Sequence, residues 1–332
     1  MSFKAVYLHK DESAGFTATL AALEDSALDD NSLAEGDVIV RIRHSTLNYK
    51  DGLAIANRAP VVRKWPMVAG IDGAGEVMES ADPRWRTGDL VFINGWGLGE
   101  TRWGCLAEKA RLPGAWLQRV PDTFSMVDCM SIGTAGYTAM LCCMALEEQG
   151  VRPADGEILV TGATGGVGTF AISLLSSMGY TVVASTGKTG ERTFLEALGA
   201  SSLIDRAALS APGKPLQKER WAGVIDSVGS HTLANACAQT QYGGAVAACG
   251  LAQGMDLAMT VAPFILRAVC LVGVNSVMCP MERREQAWAR LASQVDRRKL
   301  TQIARTMPID SVIDQAHQFA AGGFKGRIVV TM

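Results

Sequence analysis

Residues Val160–Lys188 read VTGATGGVGTFAISLLSSMGYTVVASTGK. Gly162, Gly165 and Gly168 recur at every third position, with Gly166 as an extra, between the apolar run EILVTG and the helix-like GGVGTFAISLLSSMG. In a strand–turn–helix unit the first glycine permits a tight turn and the second lets backbone approach a pyrophosphate. The third lets helix pack closely on strand, leaving helix N–H groups aimed at phosphate. The same spacing would also suit a tight turn without ligand, but the following strand, YTVVAST, supplies the context of a dinucleotide site.

The end of that second strand carries Ser185, Thr186, Gly187 and Lys188. A chain built for NAD places Asp or Glu there, to accept from the ribose 2′-hydroxyl. Hydroxyls and a lysine instead suit a 2′-phosphate, and Arg206, just after SSLID, adds a second cation. The pattern therefore predicts NADPH rather than NADH. A solvated lysine opening the next helix is the plainer reading of Lys188 alone.

Outward from this stretch, strands and helices alternate. GERTFLEALGA reads as a helix, and SSLIDR, GVIDSVG, GAVAACG and CLVGVNSV as continuous apolar strands, as in a parallel sheet covered on both faces. Before it, DTFSMVDCMSIGTAGYTAMLCCMALEEQG has helical spacing with Gly150 as a stop. The first 120 or so residues are short β-rich runs punctuated by Gly, Pro and Asp: KAVYLH, DVIVRIRHSTL, GIDGAGEVME, DLVFING, CLAEKARL. Past Met281, ERREQAWARLASQVDRRKL reads as one amphipathic helix, and KGRIVVTM as a last strand able to pair back into the first domain. The predicted organisation is a mainly β domain (1–124 and 277–332) with a doubly wound α/β domain (125–276) inserted.

The 332 residues suffice for two cores, and 48% hydrophobic against 19% charged residues is a globular balance. A net charge of −2 gives no reason to expect nucleic acid. No run approaches about 18 apolar residues, so no membrane span is expected, and with no signal-like start a cytoplasmic location is. The eight cysteines sit mostly in apolar runs such as AMLCCMAL, never as C-x2-C, and the four histidines are scattered. They read as core thiols, not metal ligands.

Together these features resemble the medium-chain dehydrogenases/reductases, in which a GroES-like β domain precedes a Rossmann domain. Zinc alcohol dehydrogenases of that superfamily carry a cysteine ligand and a Gly-His-Glu segment. Here the matching stretches are STLNYKDGL, with Asn48-Tyr49, and AGIDGAGEV, with Ile71-Asp72 in place of His-Glu. The four-cysteine structural loop is missing too, so the chain resembles the zinc-free, quinone oxidoreductase side. STLNYKD, INGWGLGETRWGCLAE, GTAGYTAMLC, VAACGLA and PFILRAVCLVGVNSVMCP are similar to the acryloyl-CoA reductases in particular.

That resemblance implies NADPH-dependent reduction of acryloyl-CoA to propionyl-CoA. It sets Asn48, Tyr49 and Asp51 over the cofactor, between the domains. Tyr49 would contact nicotinamide and ribose and deliver a proton through water, Asn48 offer an amide donor, and Asp51 orient a neighbour. Asn and Asp capping an ordinary turn is the competing reading. Thr164 to Val167 would touch the pyrophosphate, Ser185, Thr186, Lys188 and Arg206 the 2′-phosphate end, and Leu251, Ile265 and Ser276 the nicotinamide half. Arg63, Lys64 and Arg327 are candidate cations for coenzyme A phosphates. Of Trp96 and Trp103, one is expected in the core of the β domain and the other facing the substrate. The resemblance also implies a homodimer through edge strand Leu271–Val277. An NADPH:quinone oxidoreductase and a non-catalytic NADPH-binding structural or sensor protein share every one of these cofactor features.

Overall fold

The computed structural model describes residues 1–11, 15–29, 33–320 and 324–332. The chain divides into two compact units, one of residues 1–134, 277–285 and 300–332, the other of 135–276 and 286–299. Residues 125–134 thus go with the first unit and 286–299 with the second.

In chain order the elements are β1 (Ser2–Asp11), β2 (Gly15–Glu24), β3 (Val38–Thr46), α1 (Tyr49–Ile55), β4 (Met67–Val68), β5 (Asp72–Ser80), β6 (Leu90–Asn94), β7 (Lys109–Leu112) and β8 (Gln118–Arg119). Next come α2 (Met126–Glu148), β9 (Glu157–Val160), α3 (Gly166–Ser177), β10 (Thr181–Thr186), α4 (Arg192–Leu198), β11 (Ala200–Asp205), β12 (Trp221–Asp226), α5 (Ser230–Gln239), β13 (Thr240–Ala248), α6 (Ala262–Arg267) and β14 (Cys270–Gly273). The chain closes with α7 (Met281–Gln294), α8 (Arg297–Ile303), β15 (Ala304–Pro308), α9 (Val312–Ala320) and β16 (Arg327–Thr331).

The first unit is mainly β. Its larger sheet runs β15-β16-β3-β5-β6-β8, with β7 also on β3, and a second sheet runs β2-β1-β4. Alternation makes the strands two-faced: Val38, Val40 and Ile42 point into a core with Val77 and Val91, while Arg41 between them is exposed. Phe3, Val6, Leu8, Leu47, Ile55 and Val330 fill a second core. The last strand does pair back, β16 lying antiparallel to β3 from Val329↔Thr46 to Thr331↔His44. That pairing sets Arg327 beneath the turn after β3.

The second unit is a six-stranded sheet of order β11-β10-β9-β12-β13-β14, parallel throughout. This is the doubly wound order, reversing between β9 and β12, and ligands of such sheets bind outside the strand C-termini at that reversal. Leu159, Val183, Val224 and Val246 are buried because helices cover both faces.

Helix α2 is long and apolar enough to cross a membrane, but 94% of its most apolar window is buried within the protein, as in a core helix. It breaks at Gly133, whose φ of 49° and ψ of −160° are not helical. The expected single helix past Met281 is two, α7 and α8.

Candidate active site

The second unit holds the glycine turn between β9 and α3. Gly162 has φ of 58°, and a side chain there would overlap Ser227 Oγ. A Cβ on Gly168 would overlap the Gly162 carbonyl, so only glycine allows this closeness of helix and turn. Gly165 caps α3 with no side-chain hydrogen bond, leaving the N–H groups of the first turn, from Gly166 and Val167 onward, without a side-chain cap. Thr164 is buried and Gly165 exposed. The turn is tied to its neighbours: Ala163 N donates to Ser185 O at 3.2 Å, and Thr161 Oγ1 to Asp226 Oδ1 at 2.6 Å. Asp226, a buried acid ending β12 that sequence reasoning passed over, also accepts from the N–H groups of Val228 and Gly229. Burial pushes its carboxyl above the usual range, against those hydrogen bonds. The signal was present in GVIDSVG, an acid at the end of an apolar strand.

At the end of β10, Ser185 and Thr186 are buried, and Thr186 Oγ1 accepts from Lys188 N at 3.0 Å. Arg206 lies over Gly187 so closely that a Cβ there would stand 2.6 Å from its Nε. The structure therefore brings Arg206 against Gly187, the residue between Thr186 and Lys188 at the end of β10. Arg206 is exposed and, among the described residues, makes no ion pair. The arrangement fits an anionic group, and the glycine turn fits a pyrophosphate. Leu251, 60% exposed, follows Gly250, whose own Cβ would overlap Ser227 at the strand ends. Ser276 Oγ accepts from Thr138 Oγ1 at 2.8 Å. Ile265 stands 72% exposed on α6, in an apolar surface with Val261 and Leu266.

The first unit holds a buried polar network around Asp72. Its carboxylate accepts from Thr46 Oγ1 (2.7 Å), Asn48 Nδ2 (2.9 Å), Asn94 Nδ2 (2.8 Å), Thr134 N (3.0 Å) and Thr134 Oγ1 (2.5 Å). Arg327 Nη2 lies 3.5 Å away. Burial pushes the Asp72 carboxyl up, but the Arg327 charge and the hydrogen bonds from Thr134 and Thr46 outweigh it and hold it below the usual range. Gly133 is required beside this pair, since a Cβ there would overlap Arg327 and crowd Asp72. The break in α2 thus makes room for a guanidinium.

Asn48 caps α1, and Asp51 completes a capping box. Asp51 Oδ2 accepts from Asn48 N (2.8 Å) and Asn48 Nδ2 (3.1 Å), and Oδ1 from Ile71 N (3.1 Å). Burial, joined by the neighbouring Asp72 charge, pushes the Asp51 carboxyl up to about 7 against the hydrogen bonds from Asn48 and Ile71.

Two expectations are corrected here. Asn48 offers no amide donor to a ligand: its Nδ2 faces Thr46, Asp51 and Asp72, and its Oδ1 accepts from Arg327 Nη1 at 2.6 Å. Arg327 is no solvent-facing cation for phosphates: it is 3% exposed and its Nε donates to Ser131 O. Both are consumed by the need to satisfy buried charge. Thr46, Asn94 and Thr134 were missed, and Asp72 was noticed only as a replaced ligand position. Among the described residues no three His, Cys, Asp or Glu side chains converge as a metal site.

Tyr49, the first residue of α1, is 47% exposed. Arg63 and Lys64 are exposed. Trp103 is core, packed against Tyr7 with its Nε1 donating to Pro66 O at 3.1 Å. Trp96 is half-buried, stacked on Trp116 at 5.3 Å with Arg284 over its other face at 4.5 Å. Its face is thereby occupied from within the protein.

Residues 34–122 match the alcohol dehydrogenase GroES-like domain family, and 166–293 the zinc-binding dehydrogenase family. The chain is 49% identical over 312 residues to the "Probable acrylyl-CoA reductase AcuI" of Escherichia coli (strain K12), covering 94% of this chain and 95% of that protein. It is 42% identical over 329 residues to the acrylyl-CoA reductase AcuI of Ruegeria pomeroyi, covering 99% and 98%. The crystal structure of the yhdH oxidoreductase from Salmonella enterica in complex with NADP superposes with a TM-score of 0.95 at 45% identity, covering 99% of each chain. With two domain families in this order and near-complete likeness to such relatives, the chain belongs to the acrylyl-CoA reductase family of the medium-chain dehydrogenases/reductases, and is an oxidoreductase.

Proposed function

We propose that the protein is an NADPH-dependent reductase of acryloyl-CoA, forming propionyl-CoA. The observation that carries this reading is 49% and 42% identity over nearly the whole chain to two proteins named for that substrate. The cradle supports the cofactor part, with glycines that admit no Cβ, and with Lys188 and Arg206 where NAD-binding chains keep an acid.

When bound, NADPH supplies the hydride that adds to the β-carbon of the enoyl thioester. The work left to the chain is to steady negative charge on the thioester oxygen and to bring a proton to the α-carbon. We assign that work to Tyr49, directly or through an ordered water, because its side chain is half-exposed while Asn48 and Asp51 face inward. The thioester carbonyl itself activates the alkene, so the residues standing at the superfamily's zinc-ligand positions serve this reaction as a protein-only network.

A homodimer through β14 is part of the proposal. β14 is the edge of its sheet, with Val261, Ile265 and Leu266 exposed nearby at 63%, 72% and 63%. Self-pairing would cover that edge. Eight free thiols suit a reducing cytoplasm.

The test is NADPH oxidation with acryloyl-CoA and 1,4-benzoquinone run side by side. A strong preference for the thioester supports the reading. Quinone preference makes the protein an NADPH:quinone oxidoreductase. Tight NADPH binding with neither acceptor reduced makes it a binding protein with a structural or sensing duty.

A further inference from the structure

We propose that Asp51 is a positioning residue for the reduction: its carboxylate, held by three N–H contacts, sets the turn that presents Tyr49. The inference rests on the assignment of Tyr49 above and adds the residue on which Tyr49 depends.

The two buried acids of the network differ in kind. Asp72 has a guanidinium beside it and donors from β3, β6, α2 and the turn entering α1. Among the described residues Asp51 forms no ion pair; its contacts are Asn48 N, Asn48 Nδ2 and Ile71 N. Two of these lie in the turn entering α1, and the third joins that turn to the residue preceding β5. The helix is only seven residues long, too short to hold its own first turn without capping. Tyr49 is its first residue, so the direction of the tyrosine follows from the cap.

The groups facing Asp51 are known from each side. Asp72 and Arg327 act on it electrostatically, and the Cys105 thiol, itself buried, feels its charge. On α1, Lys50 is turned to Glu100 at 2.7 Å. From α9, Ala316 and Phe319 pack on Gly52, and His317 is exposed. No donor other than the three N–H contacts reaches the Asp51 carboxylate among the described residues. A neutral amide at 51 would turn an NH2 either toward the Asn48 donors, opening the cap, or toward Ile71 N, cutting the tie between the turn and β5.

The experiment combines Asp51→Asn, Tyr49→Ala and the double variant with hydrogen exchange. Asp51→Asn is expected to lower kcat for acryloyl-CoA by about tenfold to a hundredfold, the usual consequence of displacing a reacting group by about 1 Å. The Kd for NADPH should change less, because the glycine turn belongs to the other unit. In the Tyr49→Ala background the same substitution should change kcat by less than about twofold. Equal fold-losses in both backgrounds would overturn the proposal. Exchange protection of amides 48–52 in Asp51→Asn, without any substrate, should fall while that of β3 and β5 is kept. Unchanged protection would overturn it even if acryloyl-CoA proved not to be the substrate, since that failure shows separately as an inactive wild type.

Discussion

Arg327 Nη2 lies 3.5 Å from Asp72 Oδ2, and the two side chains are 3% and 0% exposed. Removing one partner of a buried pair leaves the other uncompensated, at a cost of about 3–5 kcal/mol. Arg327→Met should therefore lower unfolding stability by about that much, read from urea denaturation. A loss below about 1 kcal/mol, the range of exposed pairs, would mean Asp72 is held by its hydrogen bonds alone. Gly133→Ala should show a loss in the same direction, because its Cβ would overlap this guanidinium at positive φ.

Asp51 gives stability a specific pH dependence. Its carboxyl is raised from 3.8 to about 7 in the folded chain. A raised group contributes stability that is complete below its unfolded value and is lost as pH rises to the folded one. The wild type should thus lose stability relative to Asp51→Asn by up to about 1.4 kcal/mol per pH unit between about pH 4 and about pH 7, and run parallel above. Asp72, whose carboxyl is held below the usual range, acts with the opposite sign: its stabilisation is present above the ordinary carboxylate value and fades on acidification. Urea unfolding of the wild type and of Asp51→Asn across this window is the check. Parallel curves throughout would mean that Asp51 does not titrate there.

Lys188→Asp should raise the KM for NADPH by about tenfold to a hundredfold, the worth of one charge-assisted contact to phosphate plus new repulsion. NADH use should stay similar or improve. Arg206→Ala should act in the same direction more weakly. Unchanged NADPH affinity in Lys188→Asp would remove the assignment of the β10 end to a 2′-phosphate.

Val272→Asp, on edge strand β14, should convert a dimer of the 35.2 kDa chain to monomer in sedimentation. A wild type that sediments as a monomer would defeat the dimer directly.

The glycine turn, the continuous apolar strands and the helices between them were legible because each depends on neighbours within a few residues. β2 was not, since GFTATLAALE is rich in residues that strands avoid and exists by pairing its full length with β1. β15 was likewise missed, a short run held in place by β16. The missing acid at the end of β10 was a local observation, and so was the replacement of His-Glu by Ile71-Asp72. What replaced them was not local. Asn48 and Arg327 touch across 279 positions of sequence, and Thr134 reaches Asp72 across 62.

The sequence alone determined the sheet-and-turn chemistry of the second unit, because backbone conformation and apolar periodicity are written in adjacent residues. Only the tertiary structure decided that Asn48 and Arg327 face inward, that Trp103 is core, and that Tyr49 remains exposed on its turn. A buried charge takes whatever partner folding brings within hydrogen-bond reach, and that partner is set by strand pairing across the chain rather than by spacing along it.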